Sequence, residues 1–275
     1  MNAAGDPNQA PDRGAPTFGR GLASGAAIDK KPSDGGVLEF VKIVIHAVII
    51  AFVVRSLLFQ PFNIPSGSLI PTLLVGDYVM VSKYSYGWSK YSLPFSPNLF
   101  SGRIWGAEPK LGDIAVFKTP SDNSTDYIKR VIGVPGDHIQ MINGILNING
   151  KPVVRVADGT MDMPDEFGRV AKVPLYKETL PNGVTHEIVE RDGDKGDYDN
   201  TQEYVVPPGH FFMMGDNRDN SSDSRNLSGV GYVPLDNFVG KGQIIFFSVD
   251  EGASALAFWR WPWTVRTERL FSFVR

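Results

Sequence analysis

The most informative stretch of the sequence reads Asp126-Tyr-Ile-Lys-Arg-Val-Ile-Gly-Val-Pro-Gly-Asp137. It starts as an apolar run with β-branched and aromatic residues and ends in Pro, Gly and Asp, as a strand followed by a turn does. Strand side chains alternate between two faces, so either Lys129 or Arg130 points inward. A buried lysine is costly unless it is paired or neutral, and a neutral amine can act as a general base. An edge strand with two solvated cations is the alternative.

Similar short runs, apolar or alternating and bounded by Gly, Pro, Asp and Asn, occur on both sides of this stretch. No long run with helical periodicity follows residue 60. The pattern predicts an all-β domain over residues 60–275, built from short antiparallel strands. Residues 141–206 are predicted to form an inserted subdomain, most polar and richest in loops over 155–203. The strand-like runs cover residues 77–87, 112–120, 127–134, 138–153, 202–216 and 240–249.

The N-terminal part of the chain has a different composition. Residues 1–36 are rich in Gly and Pro and are predicted to be a disordered tail. Residues 37–59, VLEFVKIVIHAVIIAFVVRSLLF, are long and apolar enough for a transmembrane helix. Polar residues Glu39, Lys42 and His46 share one face near its start, which leaves an amphipathic or buried helix as the alternative.

The positive charges around the apolar segment predict its orientation. Arg13, Arg20, Lys30 and Lys31 precede it, whereas few positive charges follow it closely. By the positive-inside rule the tail lies in the cytoplasm, and residues 60–275 lie on the other side of the membrane.

Composition and missing motifs exclude several classes of function. The 275 residues carry a net charge of -3, without the basic character of a nucleic-acid-binding protein. With no cysteine, the chain has no disulfide, thiolate nucleophile or Cys-ligated metal. HExxH, GxSxG, Walker and GxGxxG motifs are absent, so zinc hydrolase, α/β-hydrolase and nucleotide-binding functions are disfavoured. We therefore expect no metal site, no cofactor and no nucleic-acid partner.

Two further polar stretches could carry chemistry. The first follows the apolar segment and places Ser66-Gly-Ser68 between Pro65 and Pro71, which can hold the serines rigidly. An ordinary turn is the alternative. The second is residues 215–225, GDNRDNSSDSR, in which Arg and Asp alternate closely. It is either a solvated charged loop, a calcium loop, or a buried loop cross-linked by charge-assisted hydrogen bonds. An Arg at one ligand position argues against calcium.

Taken together and in this order, these stretches resemble the type I signal peptidase family. The segments that carry the resemblance read PSGSLIPTLLVGD, GDIAVF, YIKRVIGVPGD and GDNRDNSSDSR. The resemblance implies a membrane-bound serine endopeptidase with a Ser–Lys dyad. In it Ser68 is the nucleophile and Lys129 the general base. Ser66 and the Ser68 backbone N–H form the oxyanion hole, and Ser221 orients the lysine.

Further site residues and partners also follow from the resemblance. Asp223 and Arg225 match a structural ion pair near the site. The implied substrates are exported preproteins, cut after a small-x-small motif. The implied location is a bacterial cytoplasmic membrane, with the catalytic domain outside and a functional association with the protein-export translocon. The residues that match the apolar substrate pockets are Phe62, Ile64, Leu69, Val116 and Ile128.

The resemblance leaves alternatives open. A self-cleaving repressor-type regulator or a maturation peptidase would share the dyad, and a membrane-anchored binding module would share the fold without hydrolysis. The repressor would need a DNA-binding domain, for which residues 1–36 are too short. Near the C-terminus, Trp259, Trp261 and Trp263 match either an aromatic belt at a bilayer surface or a packed β edge.

Overall fold

The structure is a computed structural model that describes residues 36–164 and 168–275. Of the tail predicted for residues 1–36, residues 1–35 lie outside the described residues. Helix α1 spans Gly36–Val53 and continues as a π-helical turn over Val54–Leu58. The span Gly36–Leu58 is long and apolar enough to cross a membrane, and its apolar side chains are exposed. An exposed apolar surface of this length is what a lipid-facing helix presents.

The rest of the described chain is mostly β, which confirms the predicted fold class. Helix α2, Trp261–Thr264, is a single turn. The strands are β1 Phe59–Asn63, β2 Asp77–Ser82, β3 Ile114–Lys118, β4 Asp126–Gly133, β5 His138–Ile142, β6 Ile145–Ile148, β7 Lys151–Pro152, β8 Val154–Pro164, β9 Val170–Thr179, β10 Thr185–Val189, β11 Tyr204–Val205, β12 His210–Met214, β13 Val233–Pro234, β14 Phe238–Ser248 and β15 Ser272–Phe273.

The largest sheet has eight strands in the order β1-β2-β14-β3-β4-β12-β13, with β15 also paired to β14. Each pairing is antiparallel. Both faces of its central strand β3 are buried, because Ile114 and Val116 pack in one apolar cluster and Ala115 and Phe117 in another. This explains why the sequence of β3 is a continuous apolar run and does not alternate.

Strand β4 lies inside this sheet, so the alternative of an edge strand with two solvated cations is wrong. It pairs with β3 along Asp126–Arg130 and with β12 only from Arg130 to Gly133. Lys129 and Arg130 are both buried. The first half of β4 is therefore paired on one side only, and its other edge borders the cleft described below.

Two smaller sheets lie between β4 and β12 along the chain. Strands β11, β5, β6 and β7 form one, and β10, β9 and β8 form the other. The region predicted to be rich in loops thus contains two of the three longest strands, β8 and β9, which form a hairpin. Most side chains of β8 are exposed. A strand with little burial on either face lacks the apolar alternation by which strands are identified in a sequence.

Candidate active site

Ser68 lies in a short turn between β1 and β2. A 3-10 turn covers Gly67–Leu69, and Ser68 is buried within it. The loop after β12 holds this turn from a distant part of the chain. Asn217 donates its backbone N–H to the Ser68 carbonyl at 3.1 Å and its Nδ2 to the Gly67 carbonyl at 2.9 Å. The backbone around the Ser68 hydroxyl is thereby fixed on a part of the molecule remote in sequence.

Lys129 meets Ser68 directly, although 61 positions separate them in the chain. Its Nζ lies 2.7 Å from Ser68 Oγ and 3.2 Å from the Ile128 carbonyl oxygen. The side chain is 4% exposed. Burial lowers the pKa of Lys129 from 10.5 to about 8, and the nearby carboxylates Asp223 and Asp216 oppose this shift. A substantial fraction of this amine is therefore neutral near physiological pH, as a general base must be.

The two side chains open onto a cleft of about 400 Å³. Of the predicted pocket residues, Ile128 lines this cleft. Ile64, Leu69 and Val116 are buried in the apolar cluster of the main sheet, and Phe62 packs against that cluster. The cleft residues are Pro65, Ser66, Gly67, Ser68, Thr125, Asp126, Tyr127, Ile128, Lys129, Asn220 and Ser222.

Ser66 and Ser221 have different surroundings. Ser66 is exposed at the cleft and has extended backbone, φ −132° and ψ 151°. Ser221 is buried, and among the described residues its Oγ forms no hydrogen bond with Lys129. The loop is tight here: a Cβ at Gly215 would collide with Ser221 Oγ and with the Ser68 carbonyl oxygen. Only glycine fits between the two serines.

Asp223 and Arg225 form a buried ion pair with two parallel hydrogen bonds. Arg225 Nε and Nη2 donate to Asp223 Oδ1 and Oδ2, each at 2.9 Å. The Gly215 N–H also donates to Asp223 Oδ2, at 3.0 Å, and Arg225 Nη2 donates to the Arg218 carbonyl at 2.6 Å. The pair therefore closes the loop 215–225 on itself, as the third of the sequence-based interpretations of this loop supposed.

The other charges of the loop bind elsewhere, which the sequence did not reveal. Arg130 donates Nε and Nη2 to the two carboxylate oxygens of Asp216, at 2.9 and 2.8 Å, in a fully buried pair. Arg218 forms a short ion pair with Glu178 of β9. The sequence did contain a signal for a buried charge, because Arg130 lies in an apolar run. Its partner Asp216 could not be identified from the sequence, because the two residues are 86 positions apart.

Comparisons with known proteins agree on one family. The model of the family described as "Signal peptidase, peptidase S26" matches residues 37–247. A signal peptidase I of Rickettsia typhi is 43% identical over 244 residues, which cover 82% of this chain and 89% of that protein. One of Rickettsia canadensis is 45% identical over 240 residues, 82% and 88% of the two chains. A solved signal peptidase I of Enterococcus faecalis V583 is 24% identical, with a TM-score of 0.30, over 49% and 97% of the chains.

Proposed function

Because the chain belongs to the signal peptidase family, peptidase S26, whose members remove signal peptides as serine proteases, we propose that Ser68 and Lys129 form its catalytic dyad. The proposal rests on one observation: the buried Lys129 Nζ lies 2.7 Å from Ser68 Oγ at the wall of a cleft. Nucleophilic catalysis by a serine requires a base of lowered pKa next to the weakly nucleophilic hydroxyl, and this pair meets that requirement.

The reaction proceeds by acyl transfer in two steps. Neutral Lys129 takes the hydroxyl proton as Ser68 Oγ attacks the scissile carbonyl, and the resulting oxyanion is held by the Ser66 hydroxyl and the Ser68 N–H. The tetrahedral intermediate collapses to an acyl-enzyme as the C–N bond breaks, and the leaving amine takes the proton from Lys129. Lys129 then removes a proton from water, which attacks the ester, and the proton returns to Ser68 as the product leaves.

Ser221 and the Asp223–Arg225 pair have supporting roles in this proposal. Ser221 orients the lysine when substrate is bound, since hydrogen bonds of catalytic groups are often incomplete in the free enzyme. Asp223 and Arg225 keep the loop in place. Their contribution is to position groups, because neither side chain lines the cleft.

The cleft fits an extended peptide. The edge of β4 over Asp126–Ile128 is paired with β3 only, so a substrate strand can add to the free edge and lie across Ser68. Ile128, with the apolar cluster of Ile64, Leu69 and Val116 beneath it, offers a shallow apolar surface, and Phe62 extends it. Such a surface accepts small side chains and rejects large ones by overlap, which supports cleavage after a small-x-small motif.

The membrane arrangement is also a proposal. We infer a single-pass protein anchored by residues 37–59, with the tail of residues 1–36 in the cytoplasm and the β domain of residues 60–275 outside, near the translocon that delivers preproteins. Trp259, Trp261 and Trp263 lie in a 3-10 turn and the short helix α2, and their side chains are exposed. This favours contact with the bilayer surface over a packed β edge.

The test is cleavage of an exported preprotein by the purified full-length protein in detergent, with the new N-terminus read by mass spectrometry. We expect cleavage after a small-x-small site, reduced at least about 10³-fold by Ser68→Ala and by Lys129→Ala. Matched controls are Ser121→Ala and Lys151→Ala, a serine and a lysine that are exposed and lie outside the cleft. Both should stay within a few-fold of wild type. Full activity of Lys129→Ala would refute the dyad, and an inactive, folded wild type would favour a binding module.

A further inference from the structure

Three carboxylates from separate segments converge next to the loop that holds Ser68. Glu190 follows β10, Asp199 lies in the connection to β11, and Asp219 lies in the 3-10 turn Arg218–Asn220. One oxygen from each lies within 4.8 Å of the other two. Like charges at this separation repel each other unless a cation lies between them.

Two of these carboxylates are buried with oxygens that accept no hydrogen bond from the described residues. Glu190 is 0% exposed, and neither of its oxygens accepts a hydrogen bond. Asp199 is also 0% exposed, and its Oδ1 has no partner. Buried polar atoms are satisfied in nearly all proteins by protein, water or an ion. A buried carboxylate with neither oxygen hydrogen-bonded therefore needs a proton, a water or an ion, and three carboxylates close together favour an ion as the ligand.

Nearby positive side chains do not supply that ligand. Within residues 36–164 and 168–275, Arg155 alone comes within ion-pair distance of the three, its Nη1 lying 3.6 Å from Glu190 Oε1. Its Nη2 is already paired with Asp194, at 2.8 Å. Arg218 donates Nη2 to Glu178, and its buried Nε and Nη1 form no hydrogen bond with the three carboxylates. The negative charge of the cluster thus exceeds the positive charge beside it.

The remaining oxygens show that the aspartates are already oriented. Asp199 Oδ2 accepts the Gly196 N–H at 2.6 Å, and Asp219 Oδ2 accepts the Asp192 N–H at 2.8 Å. Each aspartate is thus held by the backbone through one oxygen. A cavity of about 210 Å³ borders Asp219 and is also lined by Asp192, Lys195 and Asp197.

We propose that Glu190, Asp199 and Asp219 bind one Ca²⁺ ion. The donor set is purely oxygen, which suits Ca²⁺ and Mg²⁺ and excludes thiophilic metals. Ca²⁺ binds oxygens at about 2.3–2.6 Å, so one ion can reach oxygens up to about 4.8 Å apart, whereas Mg²⁺ requires about 2.0–2.1 Å. This site goes beyond the proposed peptidase activity and differs from the sequence-based expectation of no metal.

The ion would be a positioning element for the active site. Asp219 lies two residues after Asn217, whose N–H and Nδ2 hold the turn of Ser68. Asn220, the next residue, lines the catalytic cleft. A Ca²⁺ ion on Asp219 would thus tie the loop behind Ser68 to Glu190 and Asp199 of the region between β4 and β12.

The test is direct binding to the purified full-length protein in detergent after removal of metals with a chelator. We expect one saturable Ca²⁺ site by isothermal titration, with a dissociation constant of about 10⁻⁴–10⁻³ M or tighter. Tb³⁺ bound in its place should show luminescence sensitised by Tyr198, which lines the adjacent cavity. Glu190→Gln should weaken binding at least about tenfold, while Glu187→Gln, in β10 three residues earlier, should not.

Three results would overturn the proposal. They are no saturable binding by the folded wild type, equal affinity in folded Glu190→Gln, and tighter binding of Mg²⁺ than of Ca²⁺. The first would mean that protons or water satisfy the cluster. If Glu190→Gln does not fold, the partly exposed Asp219→Asn replaces it. Since binding is measured without substrate, the result is independent of the Ser68–Lys129 dyad.

Discussion

Lys129 and Arg130 are adjacent, buried, basic residues of β4, but their hydrogen-bond partners on the two faces of the strand differ. On one face the Lys129 amine meets a serine hydroxyl and one carbonyl, with no carboxylate within ion-pair distance. On the other face Arg130 donates to both oxygens of Asp216, to the Gly112 carbonyl at 2.9 Å and to the Arg275 carbonyl at 3.2 Å.

In the proposed mechanism, this difference separates a cation that can act as a base from one that is structural. Burial without a counter-charge favours the neutral form, and it lowers the pKa of Lys129 to about 8. Arg130, by contrast, is surrounded by a complete set of acceptors, and its guanidinium holds the pKa of Asp216 below its usual value against the opposing effect of desolvation. The choice of residue type matches, because lysine loses its proton readily and arginine does not.

The largest expected effect is a difference between Arg130 and Lys129 in their contribution to the free energy of unfolding. Arg130→Met leaves the buried Asp216 charge without its partner, and we expect a loss of about 3–5 kcal/mol in the free energy of unfolding. Lys129→Met should not lower it, because the substitution removes a cation whose burial is costly. Denaturant unfolding of both full-length variants measures the difference.

A second variant tests the cause of that loss. Adding Asp216→Asn to Arg130→Met removes the orphaned charge, so part of the stability should return. Equal losses for Lys129→Met and Arg130→Met would contradict the distinction between the two faces.

The next effect is on the pH dependence of activity. Only neutral Lys129 can accept the Ser68 proton, so kcat/KM should rise with pH and level off above about pH 8. The contribution of Lys129 to the free energy of unfolding also increases with pH. Between about 8 and 10.5 the unfolded chain binds the proton more readily, so the free energy of unfolding rises with pH across that interval. A rate already constant from pH 6 upward would show that the lysine is not the base.

The smallest effect concerns the ring beside the lysine. Lys129 Nζ lies 5.2 Å from the centroid of the Tyr127 ring, a contact that favours the ammonium form. Tyr127→Leu removes it and should move the midpoint of the pH–rate profile down by about half a pH unit. Tyr127→Phe keeps a ring and should leave the midpoint in place. A shift of the same size in both variants would mean that the hydroxyl or the packing is responsible.

The sequence predicted the all-β class and the segments that line the cleft, because strand-like runs and local motifs leave clear local signals. It could not show the Ser68–Lys129 contact, the Arg130–Asp216 pair or the hold of Asn217 on Gly67, which depend on strand order. The hairpin of β8 and β9 was missed because its side chains are mostly exposed on both faces. The expected bond from Ser221 to Lys129 is absent, since sequence similarity carries residue identity and not hydrogen-bond geometry.

The hydrogen bond from Asn217 to Gly67 links residues 150 positions apart and has a consequence for biosynthesis. Contacts between distant residues form late, because a long loop must close before they bring any gain. A nascent chain that has already exposed Ser68 and Lys129 still lacks the segment that fixes the serine turn. We therefore expect the serine turn to be fixed only after the chain has been synthesised beyond residue 217.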